Sequence, residues 1–288
     1  MELTYAPEDE LFRAEIRAWL QENLPKGWFD KGFEMSNDAR DKFNKEWPGK
    51  LFEGGWICAT WPKEYGGQGL TSIEAAVISE EFARVGVPTV GPNDMFGISM
   101  LGNTLLAIGT EEQKKHYLPR VLSGEDLWCQ GFSEPAAGSD LGNLGCRAVL
   151  DGDEWIINGQ KTWNTGGHMA NHIFVLARTA PDEVKHRGIT FLLVDMRQPG
   201  VEVRPIRMMS GDSEFNEVFF TDARCPKGNV VGEVNGGWMV TMTLLGNERG
   251  AGAAINAIGF RAELDKLIER ASDDAPSSRS PPGPRRRK

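Results

Sequence analysis

The sequence predicts an α+β protein of several parts: an N-terminal helical domain, a central antiparallel β-sheet or barrel domain, and the start of a C-terminal helical bundle that is cut short. Three observations carry this. Apolar residues recur at helical spacing in the first part, the period shortens to two in the middle, and from Gly237 it returns to the helical one. The parts read as residues 1–126, 127–234 and 235–271, followed by a disordered tail at 272–288.

In the first part, Phe12, Ile16, Trp19 and Leu20 form a stripe between Pro7 and Leu24 while Glu8, Glu10, Arg13 and Arg17 take other positions. Ile73, Val77, Ile78 and Phe82 form a second stripe between Thr71 and Arg84. TEEQ announces a third helix, with Thr110 as cap and Gln113 three residues on as its reciprocal partner, and Gly124 marks the stop. TWPKEYGGQGL, between them, reads as a loop.

In the middle, CRAVLDGDEWIINGQKTW alternates apolar and polar residues around Asp151-Gly152 and Asn158-Gly159, two dipeptides that favour hairpin turns. HIFVLART, GITFLLVDM, VEVRPI and EFNEVFFTDAR follow as strands. No glycine fingerprint follows a strand and opens a helix, which disfavours a doubly wound dinucleotide fold. RGAGAAINAIG comes nearest, but it lacks the third glycine and sits in a helical pattern. The ending SDDAPSSRSPPGPRRRK has no apolar period, and its basic residues read as a solvated end rather than a nucleic-acid arm.

Composition narrows the function. A formal charge of −9 argues against nucleic acid and gives no general attraction for anions, so an anionic ligand must be held locally. Cys58, Cys129, Cys146 and Cys225 form no CxxC pair, as expected of reduced thiols in a cytoplasmic protein. No leader pattern or membrane span is read. His168 and His172 are four apart but lie at a glycine turn leading into a strand, where a shared metal is disfavoured.

One segment, QGFSEPAAGSD, invites a chemical reading. A nucleophile elbow would need glycines two residues either side of the serine; Gly131 precedes Ser133, but Pro135 follows it. The residues alone leave two alternatives open: a rigid loop offering hydroxyls and N–H groups to a ligand, or a structural turn.

The order of parts, with this segment at the entrance to the sheet, resembles the acyl-CoA dehydrogenase family. GFSEPAAGSD is close to that family's flavin-loop signature, departing at Asn143 where a small residue is usual. NGQKTWNTGGH is similar to the family's Gly-x-Lys-x-Trp followed by a hydroxyl residue two positions on. WPKEYGGQGL, EEQKKHYLP, HRGITFLLVDM and GNERG extend the likeness over residues 4–270.

The resemblance implies FAD as cofactor. Gln130, Phe132 and Ser133 would contact the isoalloxazine ring or ribityl chain, and Ser139 would reach the acyl-CoA. Trp163 would pack on the ring and Thr165 would direct its hydroxyl to N5, with Asn164 held between. Donors placed there stabilise the charge that develops when the ring accepts a hydride, and tryptophan supplies a flat packing surface.

The implied reaction is α,β-dehydrogenation of an acyl-CoA thioester by α-proton abstraction and hydride transfer to flavin N5. In that reading Glu248 is the base and Arg249 orients it or meets the substrate; a solvated helical pair is the plain alternative. Met95–Thr104 would line the acyl tail. An electron-transferring flavoprotein or similar acceptor and a homo- or hetero-oligomer are the expected partners. The family normally continues beyond the point where the composition breaks near Ala271, leaving Leu264, Leu267 and Ile268 uncovered. Weak FAD retention by the chain alone is therefore expected, and a non-catalytic fragment or pairing subunit is the alternative function.

Overall fold

The computed structural model describes residues 5–30, 32–88 and 94–273, excluding the side chains of 94, 248–259, 262, 266, 269, 272 and 273. Helix α1 (Pro7–Asn23) opens with Pro7, where no N–H is needed, and with Glu8, Asp9 and Glu10 at the positive end of its dipole. The sequence reading does not anticipate α2 (Asn37–Glu53), which carries Pro48 and Gly49 inside it. Its signal was the four-residue spacing of Phe43, Trp47 and Leu51 behind the Ser36 cap. α3 (Ser72–Val85) lies on the predicted stripe and starts with a Thr71–Glu74 capping box.

A π-helical segment, Asp94–Gly102, runs into α4 (Asn103–Ile108), and α5 (Glu111–Ser123) follows. The α5 cap forms as the spacing predicts. Thr110 Oγ1 accepts from Gln113 N at 3.2 Å, Gln113 Oε1 accepts from Thr110 N at 3.1 Å, and Gly124 ends the helix at φ +76°. Gln113 also donates to the carbonyls of Gly228 and Val230 at 2.9 and 2.7 Å, which pins α5 to the strand region.

The helical core is aromatic. Trp19 lies 5.5 Å from Trp47, 5.6 Å from Trp56 and 6.1 Å from Phe82 between ring centroids, and Ile16, Leu20 and Leu51 are fully buried beside them. Beneath it, buried Glu81 of α3 accepts from Arg13 at 2.9 Å, Arg17 at 2.8 Å and Arg84 at 2.9 Å, joining α1 to α3.

The strands are β1 (Trp128–Gly131), β2 (Arg147–Asp151), β3 (Glu154–Lys161), β4 (His172–Arg178), β5 (Ile189–Asp195), β6 (Val201–Pro205), β7 (Asn216–Pro226) and β8 (Val230–Val231). They form one sheet in the order β6-β7-β3-β2-β4-β5-β8, with β1 pairing β4. Most ladders are antiparallel as expected. β1, whose Gln130 and Gly131 open the segment read in the sequence as a loop or turn, runs parallel to β4, and β2 meets β4 in parallel at Arg147 and Arg178. The long excursion through the β2–β3 hairpin permits a parallel return that a tight turn would forbid.

Asp151-Gly152 forms the predicted turn, with Gly152 at φ +61° and Asp151 opposite Glu154. Asn158-Gly159 does not turn. It lies within β3, where the ladder to β7 slips between Ile157 and Gly159. Gly159 has φ +149°, and a Cβ there would stand 2.7 Å from Cys146 Cα, so the glycine serves a bulge and a close backbone approach. Gly159→Ala is expected to cost more than about 2 kcal/mol, read as a lower urea midpoint at unchanged slope.

β4 and β5 are buried along nearly their whole length because both faces are covered. Phe174, Leu176, Phe191 and Leu193 pack with the helical core, while Ile173, Val175, Leu192 and Val194 join a second cluster with Trp155, Val218 and Phe220. α6 (Gly237–Asp273) then leaves the sheet. A Cβ at Gly237 would lie 2.5 Å from Phe191 N, so the helix starts in direct backbone contact with β5. Farther along it, Phe260, Leu264, Leu267 and Ile268 are exposed. The tail expected at 272–288 lies, from residue 274, outside the described residues. No described helix is long and apolar enough to cross a membrane.

Candidate active site

Two of the sequence motifs meet at one cleft. β1 runs alongside β4 in the register Trp128–His172 to Gly131–Val175, and the chain then leaves the sheet at Phe132. Phe132 is buried edge-on to Phe174, at 5.7 Å, and Phe191, at 6.2 Å, which fixes where the next residues emerge. From the other side β3 ends at Lys161, and Thr162 N donates to Ser133 O at 2.9 Å. The resulting cleft, of about 120 Å³, is lined by Phe96, Gln130, Phe132, Ser133, Thr162, Trp163 and Thr165.

Trp163 stands out there. Its φ is +62°, a left-handed conformation that costs a bulky residue free energy, and 61% of it is exposed. Its described ring neighbour is Phe215, edge-on at 5.9 Å. Asn164, by contrast, is buried and anchors the turn. Its N–H donates to Asn216 O at 2.9 Å, its carbonyl accepts from Asn216 Nδ2 at 2.8 Å, and its own Nδ2 donates to Gln130 O at the opposite wall. Asn164 Oδ1 is buried with no hydrogen-bond partner among the described residues. The hydroxyls of Ser133 and Thr165 and the side-chain amide of Gln130 make no hydrogen bond among the described residues.

The structure therefore brings Gln130, Phe132, Ser133, Trp163 and Thr165 together around one opening, with Asn164 behind them. Ser139 does not line this cleft; it sits on the exposed loop beyond it. The backbone of Glu248 and Arg249 belongs to α6, and their side chains lie outside the described residues. Phe96, from the segment expected against an acyl tail, reaches the cleft.

Sequence reasoning missed Thr162, and it missed the buried Lys161–Glu134 pair behind the cleft, whose members lie inside the two quoted motifs. Charged residues beside turns are ordinarily solvated, and nothing local marks these two as exceptions. His168 pairs with Asn216 at 3.2 Å, while His172 is buried in β4 beside Asn171 and Asp126, where burial holds its pKa below the ordinary value against the pull of Asp126. No group of side chains suited to a metal ion occurs among the described residues.

A family model described as acyl-CoA dehydrogenase, N-terminal domain, matches residues 6–125, and one described as acyl-CoA dehydrogenase, middle domain, matches residues 129–223. The chain belongs to the acyl-CoA dehydrogenase family. Within it, the acyl-CoA dehydrogenase IpdE1 of Mycobacterium tuberculosis is 43% identical over 266 residues, which cover 91% of this chain and 68% of that protein. The solved structure of the Tcur3481-Tcur3483 steroid ACAD is 35% identical with a TM-score of 0.75, covering 95% of this chain and 69% of that one. The ChsE4-ChsE5 complex from Mycobacterium tuberculosis is 30% identical with a TM-score of 0.67, covering 96% and 79%. In the matched regions, β1 and the start of the cleft fall at the junction between the two family domains.

Proposed function

We propose that this acyl-CoA dehydrogenase family chain holds FAD at the cleft and takes part in α,β-dehydrogenation of an acyl-CoA thioester. One observation carries the reading: an exposed tryptophan in a strained conformation shares a cleft with three polar side chains that lack partners among the described residues. A flat ring bearing hydrogen-bonding edges answers both features, and Phe96 and Phe132 supply apolar contact beside it. FAD, when bound, supplies the hydride acceptor.

In this reading Trp163 shields one side of the ring from water, and the hydroxyls of Ser133 and Thr165 and the amide of Gln130 orient it. Asn164 holds the two walls together through Gln130 O. Glu248 takes the α-proton, Arg249 orients that carboxylate or the substrate, and Ser139 meets the CoA portion from the exposed loop. Similarity to the steroid ACAD makes a steroid-bearing thioester the first substrate class to try.

A second reading, a pairing subunit without its own turnover, is favoured by the exposed row Phe260, Leu264, Leu267 and Ile268 on α6 and by the two-protein names of the similar structures. An electron-transferring flavoprotein is the proposed acceptor. Flavin absorbance in the purified chain, followed by anaerobic bleaching with a panel of acyl-CoA thioesters, separates the readings. Bound flavin that bleaches supports the dehydrogenase; bound flavin that no thioester bleaches supports the pairing subunit; a chain that takes up no added FAD overturns the cofactor assignment.

Trp163→Gly is expected to leave the urea midpoint nearly unchanged, since relief of about 1 kcal/mol of strain offsets loss of a ring contact worth about 1 kcal/mol. FAD affinity should nonetheless fall roughly 100-fold, from about 100 Å² of lost apolar contact at about 25 cal/mol per Å². Titration of the apo chain with FAD measures it.

A further inference from the structure

Behind the cleft the two motifs are joined by a buried ion pair. The side chain of Lys161 is wholly buried, and its Nζ donates to Glu134 Oε1 at 2.7 Å and to Phe132 O at 3.1 Å. Glu134, nearly as buried, also accepts from Gly145 N at 2.6 Å and Cys146 N at 2.9 Å. With Thr162 N on Ser133 O and Asn164 Nδ2 on Gln130 O, the carbonyls of residues 130, 132 and 133 are all engaged by the stretch 161–164.

A buried pair of this kind is seldom the most stabilising choice, because desolvation of both charges offsets their attraction and an apolar pair of equal volume often serves as well. What the pair adds is direction. Lys161 fixes the end of β3 against residues 132–134, while Glu134 fixes that loop against the start of β2, so the spacing between Ser133 and Trp163 is set from behind.

We propose that Lys161 and Glu134 are positioning residues for the ring-binding cleft, holding its Ser133 wall and its Trp163–Thr165 wall at the separation the cofactor needs. The inference rests on the flavin reading above. The partners of the two residues are unequal, which makes it testable. Without Lys161, Glu134 retains two backbone donors; without Glu134, Lys161 retains one carbonyl for a buried charge. Lys161→Met therefore removes the tie at the lesser structural cost, and adding Glu134→Gln removes both charges together.

The test compares the wild-type chain with K161M and with K161M/E134Q by urea unfolding, FAD titration and the visible spectrum of bound flavin. K161M is expected to fold, to bind FAD roughly 10- to 100-fold more weakly and to shift the flavin absorption band. The double variant is expected to unfold at a urea concentration at least as high as K161M without regaining affinity or spectrum. Unchanged affinity and spectrum in K161M, recovery of both in the double variant, or failure of both variants to fold would each reduce the pair to a structural role and overturn the proposal. A wild-type chain that takes up no FAD overturns the flavin reading itself; a wild type that binds normally beside unaltered variants overturns only the role of the pair.

Discussion

Glu81→Gln is expected to lower the stability of the helical region by about 3 kcal/mol, a large share of the roughly 5–15 kcal/mol that holds a typical domain together. The carboxylate is 1% exposed and sits among three guanidinium groups, with Arg13 at 2.9 Å and Arg17 and Arg84 at 2.8 Å. Removing its charge leaves Arg13, itself 9% exposed at the side chain, with Glu80 and Glu10, both much more exposed. Arg17→Ala or Arg84→Ala should cost less than about 1 kcal/mol each, because those side chains are half exposed and water replaces their partner. Urea unfolding of the three variants measures the contrast, and equal losses would show that burial at Glu81 is not what matters.

The same site makes stability depend on pH. Burial alone would raise the Glu81 pKa, but hydrogen bonds from Arg17, Arg13 and Arg84 outweigh it and bring the value down to about 2 from an ordinary 4.5. The folded pKa is the lower one, so the contribution is fully present above about pH 4.5 and is lost as pH falls toward 2. Its size is on the order of 3 kcal/mol. The wild type should lose stability over this window more steeply than Glu81→Gln, whose missing carboxyl cannot titrate.

Glu248→Gln is expected to slow flavin bleaching by acyl-CoA by roughly 10²- to 10⁴-fold, the usual contribution of a positioned base, while FAD titrates as in the wild type. Glutamine keeps the size of the side chain and cannot take the α-proton. The helix that carries residue 248 is well anchored before it: Val240 and Leu244 are buried, and Asn247 Nδ2 reaches Thr104 Oγ1 of α4 at 3.4 Å. A local substitution there should leave the cleft intact. Bleaching at the wild-type rate would remove Glu248 from the proposed chemistry and reassign its pair with Arg249 to the solvated helix surface.

Much of the architecture could be read from local patterns. Phe12, Ile16, Trp19 and Leu20 marked α1, the Thr110–Gln113 box marked the start of α5, and the uninterrupted apolar run of β4 is what a strand covered on both faces requires. α2 escaped because Pro48 and Gly49 weaken its helical signature, and its stability comes from packing Trp47 and Leu51 on partners distant in the chain. Asn158-Gly159 carries the same dipeptide signal as a hairpin turn. Only the ladder to β7 and the approach of Cys146 make it a bulge.

Local patterns along the chain were enough to place it in the family, to order its helical, sheet and helical parts, and to supply the residue types from which the cleft is built, because periodicity, caps and turn chemistry act over a few residues. Tertiary structure alone decided that β1 would lie parallel to β4, that Trp163 would stand exposed at a positive φ, and that Lys161 and Glu134 would be buried against each other. Those outcomes depend on which distant segments exclude water from one another, and no short stretch of chain encodes that.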